Sequence, residues 1–267
     1  MMKIYFIIAG FNLKVNIYNS NKSNRLENDI RDIYQSFIIP KTSKKIDFCI
    51  EIYNKPFQQP IRILSKRTRG IKENYIFLFE EEEHKIKTFY YISINQFVSI
   101  LIIALQKILV QNKSFILHSS AINFKNKAVI FTGTKGAGKS TIIRMLRNKY
   151  QALADDTIII KREHKEFYCY QTPFVEKNYW IKKGMIGYKI GAIFLLKKAS
   201  FFKIKKISNK VYIYSYLTNK LFTDGKNIQS QINYLLDFTN TFDNFYFLYF
   251  KKDSKGLERV IESYLKR

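Results

Sequence analysis

The clearest hydrophobic pattern in the chain is a short apolar run that ends in a glycine-rich segment and is followed by a helix-length stretch. The run Ala128-Val129-Ile130-Phe131 has the length and the residue types of a buried strand. Residues 140–149 are long enough for a helix of about three turns. The pattern therefore predicts a strand that ends near Thr132, a tight loop, and a helix that begins near Lys139.

The loop between them, residues 133–140, reads Gly-Thr-Lys-Gly-Ala-Gly-Lys-Ser and matches the phosphate-binding pattern G-x-x-x-x-G-K-[ST] at every position. In such a loop, backbone N–H groups and the positive end of the helix converge on phosphate oxygens. We expect Lys139 to reach the β- and γ-phosphates and Ser140 to bind Mg²⁺. A chance glycine-rich turn is the alternative, but it leaves the flanking strand and helix unexplained. The residues expected to contact the nucleotide are Gly133, Thr134, Lys135, Gly136, Ala137, Gly138, Lys139, Ser140 and Thr141.

A second apolar stretch, residues 151–160, carries two adjacent carboxylates, Asp155 and Asp156. It predicts a strand, and the single helix before it would return both carboxylates to the phosphates. One could bind Mg²⁺ while the other accepts a proton from an attacking hydroxyl. The alternative is an ordinary acidic turn, although an acidic pair at the end of an apolar strand is costly without a cation.

A third apolar stretch, Phe115 to Ile122, predicts a strand with His118 embedded in it. A single histidine in an apolar strand is more often a hydrogen-bonded core residue than a catalytic one. Its place before the loop and the acidic pair makes it a candidate site residue.

Together, Leu-His-Ser-Ser-Ala-Ile, the glycine-rich segment and Ala-Leu-Ala-Asp-Asp resemble the catalytic core of the HPr kinase/phosphorylase-like proteins, which are relatives of phosphoenolpyruvate carboxykinase. The resemblance covers roughly residues 115–200. It implies an α/β fold with a phosphoenolpyruvate carboxykinase-like P-loop core, and ATP and Mg²⁺ as cofactors. It further implies that Lys139 holds phosphate, Ser140 and Asp156 serve the metal, Asp155 is the general base, and His118 lies near the reacting phosphate.

The chain departs from that family at two places. Lys135 stands where the family usually has serine, which should strengthen phosphate attraction. No Glu- and Gly-rich signature, typical of the enzymes that act on HPr, occurs between Thr157 and Gly191. We therefore expect the phosphate acceptor to be a hydroxyl, most simply serine, of a peptide or small molecule rather than HPr.

The regions around this core suggest two domains. Residues 1–92 predict an α+β module with a recognition role, and residues 93–267 the catalytic domain. In the first, two apolar runs, 74–79 and 85–91, flank the acidic residues 80–83 and predict a hairpin. Ser93 and Gln96 form a capping box before the apolar run 97–110, which at 14 residues is short for a membrane span and predicts a buried helix joining the domains. With no convincing signal peptide, we expect a cytoplasmic protein.

Weaker patterns predict the remaining elements. Residues 23–37 suggest a short helix. Residues 193–196 and 211–216 suggest strands. Residues 227–238 suggest a helix with Ile228, Ile232, Leu235 and Leu236 on one face, and residues 257–265 suggest another helix. The two cysteines, Cys49 and Cys169, are expected to be free.

Charge and motifs limit the partners. The net charge of +25 is spread along the chain as lysine pairs, with its densest group at residues 197–206. Codon bias and solvated strand faces explain most of this charge, and an acidic partner, such as a peptide with Asp or Glu, or a membrane surface stays open. We do not expect nucleic acid as a partner. Guanine-recognition and ABC-transporter signatures are missing from the sequence. Two other functions stay open: a non-catalytic, nucleotide-gated peptide-binding module and a nucleic-acid-associated ATPase. The oligomeric state, including a homo-oligomer, is also open.

Overall fold

The computed structural model describes residues 1–18, 24–53, 64–66, 75–89, 92–223, 225 and 228–265. The chain divides into two compact units, Met1–Gln111 and Asn112–Arg267, and each contains its own β-sheet. The protein is therefore a mixed α/β chain, as the sequence predicts.

The first unit is a mixed sheet with two α-helices. Its strands are β1 (Met2–Ile8), β2 (Phe11–Tyr18), β3 (Ile38–Ile39), β4 (Phe48–Tyr53), β5 (Leu64–Lys66), β6 (Tyr75–Glu81) and β7 (Lys85–Phe89), and its helices are α1 (Asn24–Tyr34) and α2 (Ile94–Gln111), with a short 3₁₀ turn at Gln35–Phe37. The seven strands lie in the order β3-β1-β2-β4-β7-β6-β5. Alternation in β1 buries Ile4, Phe6 and Ile8, which gives this sheet its apolar face.

Strands β6 and β7 form the antiparallel hairpin that the sequence predicts around the acidic residues. Its turn is closed by the backbone N–H of Glu82, which donates to the carbonyl of Lys85 at 2.8 Å. The Glu82 carboxylate also lies 2.6 Å from the Lys87 ammonium. Glu82 and Glu83 thus lie in a charged turn at the surface, whereas Glu80 and Glu81 end strand β6. Residues 74, 90 and 91, at the ends of the predicted strands, lie outside the described residues.

Helix α2 begins with the predicted capping box. The backbone N–H of Ser93 donates to Gln96 Oε1 at 2.7 Å, and the N–H of Gln96 lies 3.4 Å from Ser93 Oγ. The helix packs on α1, β4 and β7 and belongs to the first unit, so the division falls after Gln111 rather than at residue 92. At 18 residues it is longer than the apolar run inside it, and by length and composition alone it could cross a membrane. Half of it is buried in the structure, as in the core helix of a globular unit.

The second unit is a nine-stranded sheet with four helices. Its strands are β8 (Phe115–Leu117), β9 (Ser120–Phe124), β10 (Lys127–Thr132), β11 (Ala152–Ala154), β12 (Ile158–Glu163), β13 (Glu166–Gln171), β14 (Tyr188–Lys198), β15 (Lys203–Lys206) and β16 (Phe245–Phe250), and its helices are α3 (Lys139–Leu146), α4 (Lys210–Thr218), α5 (Ile228–Thr241) and α6 (Ser254–Leu265). The main path of the sheet runs β11-β9-β10-β14-β13-β12-β8, and β16 joins β14 to β15.

Three parallel strands, β10, β14 and β16, form the middle of this sheet. Alternation along β10 sends Ala128 and Ile130 into a core shared with α4 and α5, and Val129 and Phe131 into a core shared with α3 and α6. Helices therefore cover both faces, as parallel strands require. In such sheets ligands bind beyond the carboxyl ends of the strands, and the glycine-rich loop begins at the carboxyl end of β10.

Two weaker predictions differ from the structure. Residues 211–216 form helix α4 instead of a strand, because Asn209 caps that helix by accepting a hydrogen bond from the Tyr212 N–H at 2.9 Å. Packing of Ile213 and Leu217 into the core outweighs the strand preference of the aromatic residues. In α5 the buried face includes Gln231, Leu235 and Phe238, whereas Ile228 and Leu236 are exposed.

The predictions for the C-terminal helix and for the two cysteines hold. Helix α6 buries Leu257 and Ile261 and is capped by Asp253, whose carboxylate accepts a hydrogen bond from the Gly256 N–H at 3.1 Å. Both cysteines are free, and Cys169 is buried.

Candidate functional site

The glycine-rich loop has the predicted position between β10 and α3. Gly136 and Gly138 adopt φ angles of 79° and 105°, which side-chain-bearing residues rarely adopt. A Cβ on Gly133 would lie 2.5 Å from the Cβ of Ala137, so this close turn requires glycine. The Ala137 N–H donates to the Thr134 carbonyl at 3.0 Å and closes the turn. The predicted strand and loop are confirmed, and the helix begins at Lys139 as predicted but ends at Leu146, about one turn before residue 149.

Lys139, the first residue of α3, is a buried cation. It is 9% exposed, and its ammonium donates to the Gly133 carbonyl at 3.3 Å. Burial lowers the pKa of Lys139, and the nearby Lys220 and Lys177 lower it further, while Asp156 raises it. Only one protein hydrogen bond is recorded for this ammonium among the described residues, so the charge suits an anionic ligand.

The acidic pair lies between two strands rather than within one. β11 ends at Ala154 and β12 begins at Ile158, because β11 pairs with β9 whereas β12 pairs with β13 and β8. Asp155 and Asp156 therefore lie at strand ends. This corrects the prediction of one continuous strand over residues 151–160.

The stretch that holds His118 is broken in the same way. β8 ends at Leu117 and pairs with β12, and β9 begins at Ser120 and pairs with β10 and β11. The two breaks face each other, so that His118 Nδ1 lies 3.4 Å from Asp156 Oδ1. Burial lowers the pKa of His118. Lys139, Lys177 and Lys220 act in the same direction, and Asp156 opposes them. His118 is therefore neutral at pH 7.

Asp155 is the most enclosed acidic group of the site, at 1% exposure. Its backbone N–H donates to Glu176 Oε2 at 3.0 Å, and its Oδ2 accepts a short hydrogen bond from the Asn178 amide. Its Oδ1 is buried and has no hydrogen-bond partner among the described residues. A buried carboxylate oxygen without a partner is costly, so this atom is suited to a donor that a ligand brings.

One cavity of about 610 Å³ collects these groups. It is lined by His118, the loop from Gly133 to Thr141 except Thr134, and both carboxylates, Asp155 and Asp156. Thr134 is exposed and does not line it. The structure thus brings together the predicted site residues with one exception, while their individual roles stay predictions.

The residues on the other side of the cavity could not be predicted from the sequence. It is formed by Lys177, which lies 3.3 Å from Asp156 Oδ1, and by Asn219 to Phe222, which follow α4. The latter segment pairs with β8: the His118 N–H donates to the Lys220 carbonyl at 2.8 Å, and the Phe222 N–H to the Ile116 carbonyl at 2.9 Å. In the sequence, Asn219-Lys220 resembles only the start of the guanine-binding motif Asn-Lys-x-Asp and lacks its Asp. No local sequence pattern indicates that this segment pairs with β8.

The donors at this site fit a magnesium ion that is held mainly by a nucleotide. The Ser140 hydroxyl and the Asp156 carboxylate line the same cavity and are oxygen donors of the kind Mg²⁺ prefers. Among the described residues no group of three or more His, Cys, Asp or Glu side chains could hold a metal by itself. This is consistent with an ion bound through one or two protein oxygens and substrate phosphates.

Comparisons with known proteins give limited further information. The family model described as "SynChlorMet cassette protein ScmC" matches residues 79–211, slightly less than half of the chain. Among solved structures, the HPr(Ser) kinase/phosphatase from Coxiella burnetii matches with 12% identity and a TM-score of 0.31, over 56% of this chain and 95% of that one. No curated protein matches the chain. A TM-score at this level carries no argument about fold or function.

Proposed function

We propose that this chain is an ATP-dependent kinase that transfers the γ-phosphoryl group to a hydroxyl. The observation that carries the proposal is one cavity lined both by a glycine-rich phosphate loop and by Asp155, whose buried Oδ1 has no hydrogen-bond partner among the described residues. The loop supplies backbone N–H groups for the phosphate oxygens of a nucleoside triphosphate, and the carboxylate supplies a proton acceptor for an attacking hydroxyl. The resemblance of residues 115–200 to HPr kinase/phosphorylase-like proteins supports the same reaction class.

In the proposed reaction the acceptor hydroxyl gives its proton to Asp155 as its oxygen bonds to the γ-phosphorus. The bond between that phosphorus and the β–γ bridging oxygen breaks, and ADP leaves. The loop N–H groups and Lys139 stabilise the charge on the transferring group. Mg²⁺, when bound through Ser140 and Asp156, would neutralise charge on the phosphate oxygens. His118, which is neutral, can donate or accept one hydrogen bond near the reacting phosphate.

The acceptor we propose is serine, in a peptide or as a small molecule, and not HPr. The stretch between Thr157 and Gly191 lacks the signature of the enzymes that act on HPr, whereas the phosphate machinery is intact. We assign acceptor recognition to the N-terminal unit, Met1–Gln111, by elimination, because the catalytic motifs all lie in the other unit.

Nucleotide turnover separates this proposal from the alternatives. Purified protein with Mg²⁺ and ATP should bind the nucleotide and release ADP slowly, since water can replace the hydroxyl acceptor. Binding without any ADP release would favour a nucleotide-gated binding module. ADP release that rises many-fold with DNA or RNA, and that falls steeply with salt, would favour a nucleic-acid-associated ATPase.

A further inference from the structure

Three consecutive residues after β13 contact the acidic pair. Glu176 accepts the Asp155 backbone N–H at 3.0 Å, and Asn178 donates to Asp155 Oδ2. Lys177, between them, places its ammonium 3.3 Å from Asp156 Oδ1. Glu176 and Asn178 thus contact Asp155, and Lys177, which lies between them, contacts Asp156.

The segment is itself anchored at several points. The Glu176 carboxylate forms an ion pair with Lys183, and these side chains are only 4% and 15% exposed. The Gln171 amide donates to the carbonyl of Leu153 at 2.5 Å and to that of Lys182 at 3.0 Å. Gln171, before the segment, is therefore hydrogen-bonded both to Lys182, after it, and to Leu153 in β11, the strand that precedes Asp155.

These contacts make the two oxygens of Asp155 different. Asn178 donates to Oδ2, whereas Oδ1 is buried and has no partner in the described part of the chain; Asp155 itself lines the cavity. We propose that Glu176, Lys177 and Asn178 form a positioning element for the acidic pair, in which Asn178 occupies Asp155 Oδ2 and leaves Oδ1 as the atom that takes the acceptor's proton. This inference rests on the proposed kinase function.

The chemistry of each residue fits that role. Asn178 is a neutral donor, so it fixes the carboxylate without placing a positive charge against a base. Lys177 has a side chain that is 73% exposed, and it can leave Asp156 when a metal ion binds there. Glu176 acts through the backbone of Asp155, and its own charge is balanced by Lys183.

The test uses Asn178→Ala and Asn178→Asp in the full chain, with Val175→Ala and Tyr179→Ala as controls. The two control residues flank the segment and are 79% and 97% exposed. With water as the acceptor, Asn178→Ala should slow ADP release about 10- to 100-fold, the scale expected from a misplaced catalytic group. The affinity for a fluorescent ATP analogue should stay within twofold of wild type.

The Asn178→Asp variant separates positioning from a general structural role. A carboxyl group at this place can donate to Asp155 Oδ2 only while it is protonated, so the activity of this variant relative to wild type should be highest at low pH and fall as the pH rises. A variant that is merely less well folded would lose activity evenly across the pH range. Equal rates in Asn178→Ala and the two controls would overturn the proposal.

A second readout does not need activity. Hydrogen exchange of the Asp155 amide should be at least tenfold faster in Glu176→Ala than in Val175→Ala, because the Asp155 N–H loses its acceptor on Glu176. If wild type binds ATP without releasing ADP, the kinase function fails, and this exchange experiment then decides the positioning element by itself. Unchanged exchange in Glu176→Ala would contradict it.

Discussion

At the residue scale, the site depends on charges held away from water. Lys139 is buried beside Lys177 and Lys220 as well as Asp156, and burial and its neighbours lower its pKa. Asp155 has one satisfied oxygen and one buried oxygen without a partner. Both groups are costly in the free protein, and a bound phosphate and hydroxyl would relieve that cost. Function and stability are therefore expected to oppose each other at these positions.

Replacing Lys139 by alanine should abolish nucleotide binding and turnover with little loss of stability. The fold loses one hydrogen bond, from Lys139 to the Gly133 carbonyl, and is freed of a buried cation. Nucleotide titration and thermal unfolding measure the two effects. Lys165→Ala, at an exposed turn, is the matched control. Wild-type turnover in Lys139→Ala would show that the loop is assigned wrongly.

Asp155 and Asp156 should be separable by asparagine substitution. Asp155→Asn should keep Mg-ATP affinity and lose about 10²–10⁴-fold in phosphoryl transfer, the scale of a lost general base. Asp156→Asn should also raise the Mg²⁺ concentration needed for half-maximal activity. Metal titrations of both variants give these values, and equal, mild effects at both positions would contradict the division of roles.

His118 should titrate below pH 6.5, and its pKa should fall further in Asp156→Asn. Burial already lowers this pKa, and Asp156 is the neighbour that raises it. Removal of Lys220 by alanine should move the pKa upward, since that cation lowers it. Ring-proton resonances can be followed by NMR because the chain has only three histidines. An upward shift in Asp156→Asn would be inconsistent with this electrostatic account.

At the element scale, the sequence predicted the site better than the sheet around it. The loop and α3 follow from local rules: glycine conformations, a helix of the right length and an apolar strand before them. The breaks at His118 and after Ala154 do not follow, because each depends on which distant strand the next segment pairs with. The same holds for Lys220, which reaches the cavity through β8, and for α4, whose helical state depends on packing.

The segment around Glu176 should make stability depend on pH. Burial raises the pKa of Glu176 to about 7, the neighbouring Asp155 side chain acts in the same direction, and Lys183 opposes them. Because the folded pKa lies above the ordinary value of 4.5, the contribution of Glu176 to stability is fully present below pH ~4.5 and is lost as the pH rises through about 7.

Glu176→Gln should remove that dependence. As the pH rises from about 4.5 to about 7, the free energy of unfolding of Glu176→Gln should increase by about 2–3 kcal/mol relative to that of wild type, since one pKa unit corresponds to about 1.4 kcal/mol. Denaturant unfolding across the pH range measures this, with Glu166→Gln, an exposed glutamate, as the control. Parallel curves for Glu176→Gln and wild type would show that Glu176 is not buried as described.

At the scale of the whole molecule, charge is the property that bears on the acceptor. The net charge is +25, and the lysines of the densest group, residues 197–206, are exposed along the end of β14 and on β15. Exposed charges attract an acidic partner over about 8 Å at physiological salt, and salt screens that attraction.

We expect the exposed positive charge to determine which acceptor is phosphorylated, so the acceptor should be acidic and should not be HPr. We expect acidic serine-bearing peptides, or small hydroxyl compounds with a carboxylate, to be phosphorylated with a KM that rises with ionic strength. We expect no phosphorylation of HPr and no reversal with inorganic phosphate. Assays with purified HPr and with peptides at two salt concentrations test both statements, and efficient phosphorylation of HPr would contradict them.

The most direct test of the central claim follows the γ-phosphoryl group in a single turnover. Enzyme in excess over γ-labelled ATP, with Mg²⁺ and an acidic serine-bearing peptide, should convert the label into an acid-stable phosphate ester in step with ADP formation. Asp155→Asn should bind the same ATP and leave the label in place. Label that stays in ATP with wild type, or that appears only as inorganic phosphate at the same rate with and without the peptide, would contradict a kinase.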